Sequence, residues 1–150
     1  VIKGYHKHGE LHGKLQNFSL NGRLLKETNY IDGKVVGWRR AWSESGELLG
    51  EGNIIEGNGE YIERYEKSMG GGIRTKVSYE NGKIHGLQKV WDLKGILIEE
   101  TNYSEGDFLE RVRWQWYDNG QLYQESKRYG GMTGDETKCW NRDGQEIECP

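Results

Sequence analysis

The sequence predicts an all-β fold: a tandem repeat of antiparallel β-hairpins, about six units of 24–25 residues, forming one elongated twisted sheet over residues 1–150. Three observations carry this expectation. Glycines recur on two interleaved ladders of the same period. Between them, aromatic and aliphatic residues alternate with polar ones. No stretch sustains the 3.6-residue apolar spacing of a helix.

The first ladder is Gly22, Gly46, Gly71, Gly95, Gly120 and Gly144, with steps of 24, 25, 24, 25 and 24 residues. The second is Gly9, Gly33, Gly57, Gly82, Gly106 and Gly131, with steps of 24, 24, 25, 24 and 25. Other positions repeat with them. Two residues after each first-ladder glycine come Leu24, Leu48, Ile73, Leu97 and Leu122. Five after it stand Glu27, Glu51, Glu100 and Glu125, with Lys76 the exception. Eight after it come Tyr30, Ile54, Tyr79 and Tyr103, with Tyr129 one residue late. About four residues before it lies an aromatic: Phe18, Trp42, Trp91, Trp116 or Trp140. A weaker third series, Gly13, Gly37 and Gly86, gives way to Tyr61 and Glu110 elsewhere.

Each unit reads as a hairpin. Asn21-Gly22, Asn119-Gly120 and Asp143-Gly144 favour the type I′ turn, whose two central residues need positive φ. Ser45-Gly46 and Lys94-Gly95 fill the same slot less well. On the flanks, Trp38-Arg39-Arg40-Ala41-Trp42 and Arg113-Trp114-Gln115-Trp116-Tyr117 show the period of two expected of strands. The second glycine, as in Asp32-Gly33 and Asn81-Gly82, makes the return to the next hairpin. A lone hairpin cannot bury its apolar face, so stacked hairpins sharing an aromatic stripe, about a dozen strands in all, are expected.

Composition narrows the function classes. Hydrophobic residues make up 33% of the chain and charged ones 30%, at a mean hydropathy of -0.94. Disordered chains share those features but are poor in aromatics, and this one has 6 Trp and 9 Tyr. A net charge of -3 with no Lys/Arg stripe speaks against a nucleic-acid partner. No apolar run of 18 residues exists, so no transmembrane segment is expected. Cys139 and Cys149 are the only cysteines; they could lie on paired strands of one terminal hairpin, where a disulfide would need an oxidising compartment, and two free thiols are the expectation. Free thiols favour the cytoplasm. The opening Val1-Ile2-Lys3-Gly4, without a Met or a signal segment, is equally what an exported and trimmed product shows.

The pattern Tyr30-x-x-Gly33-x-x-x-Gly37, repeated as Tyr79-x-x-Gly82-x-x-x-Gly86, runs on to an aromatic and then Asn-Gly-x-Leu-x-x-Glu. It resembles the variant MORN repeat, in the form typical of the bacterial YwqK-type antitoxin family, over about residues 5 to 149. The tighter Tyr-x-Gly and Gly-x-Gly of the standard MORN repeat are mostly missing. The resemblance implies one MORN-like hairpin array and a binding role. Proteins of the YwqK type are named as antitoxins that neutralise a partner, and MORN arrays elsewhere contact proteins or lipids. Some accompany catalytic domains, including phosphatidylinositol-phosphate kinases and a histone-lysine methyltransferase.

No catalytic, cofactor or metal set is expected from the residues themselves. Met69-Gly70-Gly71-Gly72-Ile73-Arg74-Thr75 is glycine-rich but lacks the Gly-Lys-Ser/Thr of a phosphate loop, and reads as a widened hairpin loop. His6-x-His8-x-x-x-His12 is the one metal-like cluster, yet His12 precedes Gly13 as His85 precedes Gly86, which marks a repeat position. The carboxylates mostly recur at one repeat position, and no nucleophile–base set stands outside the repeat.

That leaves surfaces for binding a protein partner, toxin-like or other. Trp38, Arg40, Trp42, Trp114 and Trp116 belong to the residue types that dominate binding hot spots. Tyr61 and Tyr65 join them from the irregular third unit, where departure from a repeat marks function or drift. Trp42, Trp116 and Trp140 are expected in the stacked stripe, and Trp38 and Trp114 on the partner surface. The leading expectation is a non-catalytic protein-binding module of antitoxin or immunity type. The alternatives are a membrane-lipid contact module beside a separate kinase-like domain, and a structural surface repeat.

Overall fold

The computed structural model describes all 150 residues. Fourteen strands follow one another along the chain: β1 (Ile2–Lys7), β2 (Glu10–Phe18), β3 (Leu24–Ile31), β4 (Lys34–Trp42), β5 (Leu48–Ile54), β6 (Gly59–Arg64), β7 (Ile73–Glu80), β8 (Lys83–Ile84), β9 (Gly86–Trp91), β10 (Leu97–Ser104), β11 (Asp107–Trp116), β12 (Leu122–Tyr129), β13 (Glu136–Trp140) and β14 (Glu146–Ile147). Every pairing is antiparallel between neighbours in sequence, apart from β7, which pairs with both β8 and β9. β8 and β9 are two pieces of one return strand, interrupted at His85. The sheet is open, with β1 and β14 at its ends and no closure into a barrel.

The sequence series become cross-strand pairs. Phe18 lies opposite Leu24, Trp42 opposite Leu48, Trp91 opposite Leu97 and Trp116 opposite Leu122. Each pair sits where its hairpin closes, as an aromatic–aliphatic contact across the ladder. The tyrosine series faces glycine: Tyr30 opposite Gly13, Ile54 opposite Gly37, Tyr79 opposite Gly59 and Tyr103 opposite Gly86. A large side chain thus covers backbone that has none of its own. In the third unit the place of the bulge glycine falls to Gly59, two residues before Tyr61.

The turn assignment is reversed from expectation. Both central residues have positive φ at His8-Gly9, Asp32-Gly33, Glu56-Gly57, Asn81-Gly82 and Glu105-Gly106, so two-residue type I′ turns occupy the second ladder up to Gly106, and Gly131 alone departs. At Asn21-Gly22, Asn119-Gly120 and Asp143-Gly144 only the glycine has positive φ. There the N–H of Gly22 donates to Ser19 O at 3.1 Å, and the N–H of Ser19 to Arg23 O at 2.8 Å. This is a three-residue loop, a type I turn with glycine in the left-handed position that follows it. Its first residue supplies a side-chain acceptor to the backbone N–H four residues on, from Ser19 to Arg23, Ser43 to Glu47, Asp92 to Ile96 and Asn141 to Gln145. Asn-Gly suits both turn types, and the side-chain acceptor reinforces the longer loop at these four places; at Asn119-Gly120, where Tyr117 holds that position, the same loop forms without it. In the third unit the loop is widened by a single 3-10 turn, Lys67–Met69, ahead of Gly70 and Gly71.

The core lies on one face of the sheet, built from Val35, Ala41, Ile54, Tyr61, Val77 and Tyr79, with Tyr30 and Ile84 packed against it. No second layer covers it, so the sheet buries it by curling. The backbone N–H of Val35 on β4 donates to Gly82 O in the β7–β8 turn at 2.8 Å, reaching across β5 and β6. The N–H of Gly82 in turn donates to Gly57 O at 2.8 Å. Gly50 and Gly52, both buried on β5, permit the curl: a side chain on Gly52 would meet the Tyr61 backbone Cα at 2.8 Å.

The cysteines correct a second expectation. Cys139 and Cys149 are joined in a disulfide, not held as free thiols, with their Cα atoms 5.1 Å apart. Cys139 is 1% exposed and pairs with Ile147, which carries the last residues back alongside β13.

Candidate functional site

The two faces of the sheet carry different chemistry. Side chains alternate along a strand, so on β4 the core residue Ala41 points to the concave face with Arg39, and Trp38, Arg40 and Trp42 point to the other. Directly paired residues share a face, which allows the convex face to be followed strand by strand. It runs from Arg40 to Glu51, Ile62, Lys76, Lys89, Glu100 and Val112. Trp114 and Trp116, two and four residues beyond Val112, therefore stand on the same face as Trp38 and Trp42.

The repeating glutamates are also there, each beside a partner on a neighbouring strand or its own. Glu27 meets Lys14 Nζ at 3.2 Å and Gln16 Nε2 at 2.6 Å. Glu51 meets Arg40 at 3.9 Å, Glu100 meets Lys89 at 2.8 Å, and Glu125 meets Lys127 at 3.2 Å. At Lys76, the exception in the series, the charge is exchanged, and Glu60 answers it at 2.8 Å. Such exposed pairs each contribute about 0.2–1 kcal/mol and settle register more than stability.

Against this neutralised background the tryptophans stand out. Trp38 is 42% exposed, with the Arg40 guanidinium over its ring at 4.4 Å. Its backbone is held by Asn29, whose side-chain N–H donates to Trp38 O at 2.8 Å. Trp42 beside it is half-buried. On β11, Trp114 is half-buried and donates through Nε1 to Glu125 at 3.0 Å, while Trp116 is 39% exposed and donates through Nε1 to Leu97 O at 3.2 Å. Trp116 therefore projects from the sheet instead of filling a buried stripe. Six strand spacings separate β4 from β11, about 29 Å along the sheet at ~4.8 Å each. The two Trp pairs form two anchors on one face, not one patch.

Tyr61 and Tyr65 do not join them. Tyr61 is 1% exposed and lies in the core, its ring under the Arg39 guanidinium at 4.2 Å and its hydroxyl donating to Glu63 at 2.7 Å. It cannot reach a partner from there. Burial foremost, then the Glu63 carboxylate, holds its phenol well above the usual tyrosine range. Tyr65 is half-buried and donates through its hydroxyl to Trp91 O at 2.8 Å, tying the widened loop to the next hairpin.

The concave face holds a cleft of about 600 Å³, outside the sequence expectation altogether. Lys26, Thr28, Tyr30, Arg39, Tyr79 and Lys83 line it, drawn from β3, β4, β7 and β8. Tyr79 accepts a hydrogen bond from the Arg39 guanidinium, and burial raises its phenol above the usual range. Gly50 and Gly52 mark the close approach of Tyr61 to β5 and do not line the cleft, so no motif within one repeat unit points to it.

The His6, His8 and His12 series does not converge. His12 Nδ1 lies 3.2 Å from Asp32 Oδ1, and no three His, Cys, Asp or Glu side chains come together. His85 repeats the His12 arrangement: Nδ1 of each faces the backbone N–H of the turn residue 20 positions on, Asp32 or Glu105, at 3.4 Å. No helix is long and apolar enough to cross a membrane.

No family model matches the chain, and no curated protein matches it. Among solved structures it is similar to a chain from the crystal structure of TarM, at 12% identity and a TM-score of 0.39. The match covers 59% of this chain and 17% of that one.

Proposed function

We propose that this chain is a non-catalytic protein-binding module, with neutralisation of a partner protein, in the antitoxin or immunity manner, as its specific form. One observation carries the reading: Trp38 and Trp116 stand exposed on the face opposite the core. Exposed tryptophan with stacked arginine is the composition of binding hot spots. The two anchors lie six strand spacings from each other, about 29 Å along the curled sheet. Between them the charges are paired on the sheet itself, which leaves shape and aromatic contact to select the partner. The sequence resemblance to YwqK-type antitoxins supports the same reading. The net charge of -3 favours a partner with a basic surface, whose association would quicken at low salt.

The test is capture of binding proteins from native lysate with the full chain as bait, read by mass spectrometry. A single protein eluting near one-to-one, with faster association at low salt, supports the proposal. Binding to anionic vesicles without any stoichiometric protein partner contradicts it in favour of lipid contact.

A further inference from the structure

The concave cleft carries three cations, Lys26, Arg39 and Lys83, against two carboxylates, Glu105 and Asp107. Arg39 stacks on Tyr61 at 4.2 Å and faces the Tyr79 ring at 5.8 Å, which fixes the plane of its guanidinium. One of its five N–H groups is used on Tyr79. No carboxylate pairs with it. The nearest buried carboxylate, Glu63, already has Lys26 at 3.7 Å and Arg74 at 3.5 Å. The Tyr79 oxygen accepts from Arg39, so its own hydroxyl hydrogen is free to donate elsewhere. Thr28 adds a hydroxyl and Lys83 an ammonium group at the margin, while the Lys26 ammonium is shared with Glu63. Glu105 and Asp107 line the far rim, and neither forms an ion pair with a cleft cation.

We infer that the concave cleft is a binding site for a small oxyanion, the phosphoryl or carboxylate group of a phosphate ester or organic acid, held by Arg39 and Tyr79. A rigid guanidinium fork and a neighbouring hydroxyl suit a bidentate contact to either group, and the stacked aromatics keep Arg39 in place without a ligand. The cleft is within the size range of small-molecule sites. The site lies on the face opposite Trp38 and Trp116 and does not depend on the proposed protein partner.

The full chain is titrated with inorganic phosphate and with citrate at matched ionic strength, with chloride as control. Nitrogen–proton NMR follows the Arg39 Nε–H and the amides of Thr28, Tyr30 and Lys83. Saturable shifts confined to this set are expected, and whichever anion binds more tightly identifies the phosphoryl or the carboxylate class. Arg39→Gln is expected to weaken binding about tenfold and Tyr79→Phe about threefold. Glu105→Gln with Asp107→Asn, both on exposed residues, is expected to strengthen it about twofold. That gain cannot arise from loss of the fold, so it decides the matter if Arg39→Gln does not fold. Shifts that never saturate, shifts equal to those with chloride, or affinity unchanged in the rim variant would each overturn the inference.

Discussion

The Tyr61 hydroxyl donates to the Glu63 carboxylate at 2.7 Å, two residues along β6, and both side chains are buried. Lys26 and Arg74 reach the same carboxylate from β3 and β7, so three strands meet at one charge. A hydrogen bond to a charged group contributes about 1.5–3 kcal/mol. Tyr61→Phe is therefore expected to lower unfolding free energy by about 2 kcal/mol without changing the far-ultraviolet spectrum. Glu63→Ala leaves a phenol and two cations without their acceptor and is expected to cost more than Tyr61→Phe, about 3 kcal/mol. Urea titration of both variants checks the order.

The two buried phenols set an alkaline limit. Tyr61 and Tyr79 keep their protons in the fold to higher pH than the value of 10.0 for a free tyrosine. Burial is the first cause for each, and Arg39 opposes it. A group whose folded pKa is raised contributes stability that is complete below the unfolded value and lost as pH rises above it. Above pH about 10 the unfolded chain releases these protons and the folded chain does not. Stability is expected to fall by up to about 1.4 kcal/mol per pH unit for each phenol. Tyr61→Phe is expected to flatten that decline. Urea midpoints between pH 8 and 11 give the comparison, and an equal slope in the variant would remove Tyr61 from the account.

Glycines of the two kinds respond differently. Gly52→Ala places a methyl group against the Glu60 carbonyl and the Tyr61 backbone, neither able to give way, and a loss of about 3 kcal/mol or more is expected. Gly22→Ala meets nothing within 4 Å, and its cost is only that of a φ of 77°, about 1 kcal/mol. Thermal unfolding of the two variants side by side reads the difference.

The Cys139–Cys149 disulfide closes a short loop, with a sequence separation of 10 residues. Reduction is expected to cost the C-terminal hairpin about 2–3 kcal/mol and to raise amide exchange in β13 and β14, while β4 to β7 stay protected. Uniform loss of protection would mean that the clip supports the whole sheet.

The period, the strands and the sites of the turns were legible in the sequence, because each depends on residues within one unit: a glycine, an aromatic four before it, a leucine two after. The exchange of turn types was less legible, since Asn-Gly and Asp-Gly suit both turns and the side-chain acceptors of Ser19, Ser43, Asp92 and Asn141 reinforce a loop that also forms at Tyr117 without one. The burial of Tyr61 was hidden for a different reason. It requires β5 to offer Gly50 and Gly52 to a side chain from β6 and a guanidinium from β4, a relation among three strands that a repeat consensus does not express. The concave cleft is a product of the same curl. That Cys139 and Cys149 can share a terminal hairpin was legible; that they are bonded was not, because a sequence does not carry the redox state in which the chain folds.

The division of labour between the faces is tested most directly by comparing Trp38→Ala combined with Trp116→Ala against the wild type, in urea unfolding and in capture of the stoichiometric partner. The double variant is expected to unfold within about 0.5 kcal/mol of the wild type and to lose the partner. A variant that captures the partner as the wild type does, or that loses it only because it no longer folds, would contradict a convex face built to hold a protein partner apart from the core on the concave face.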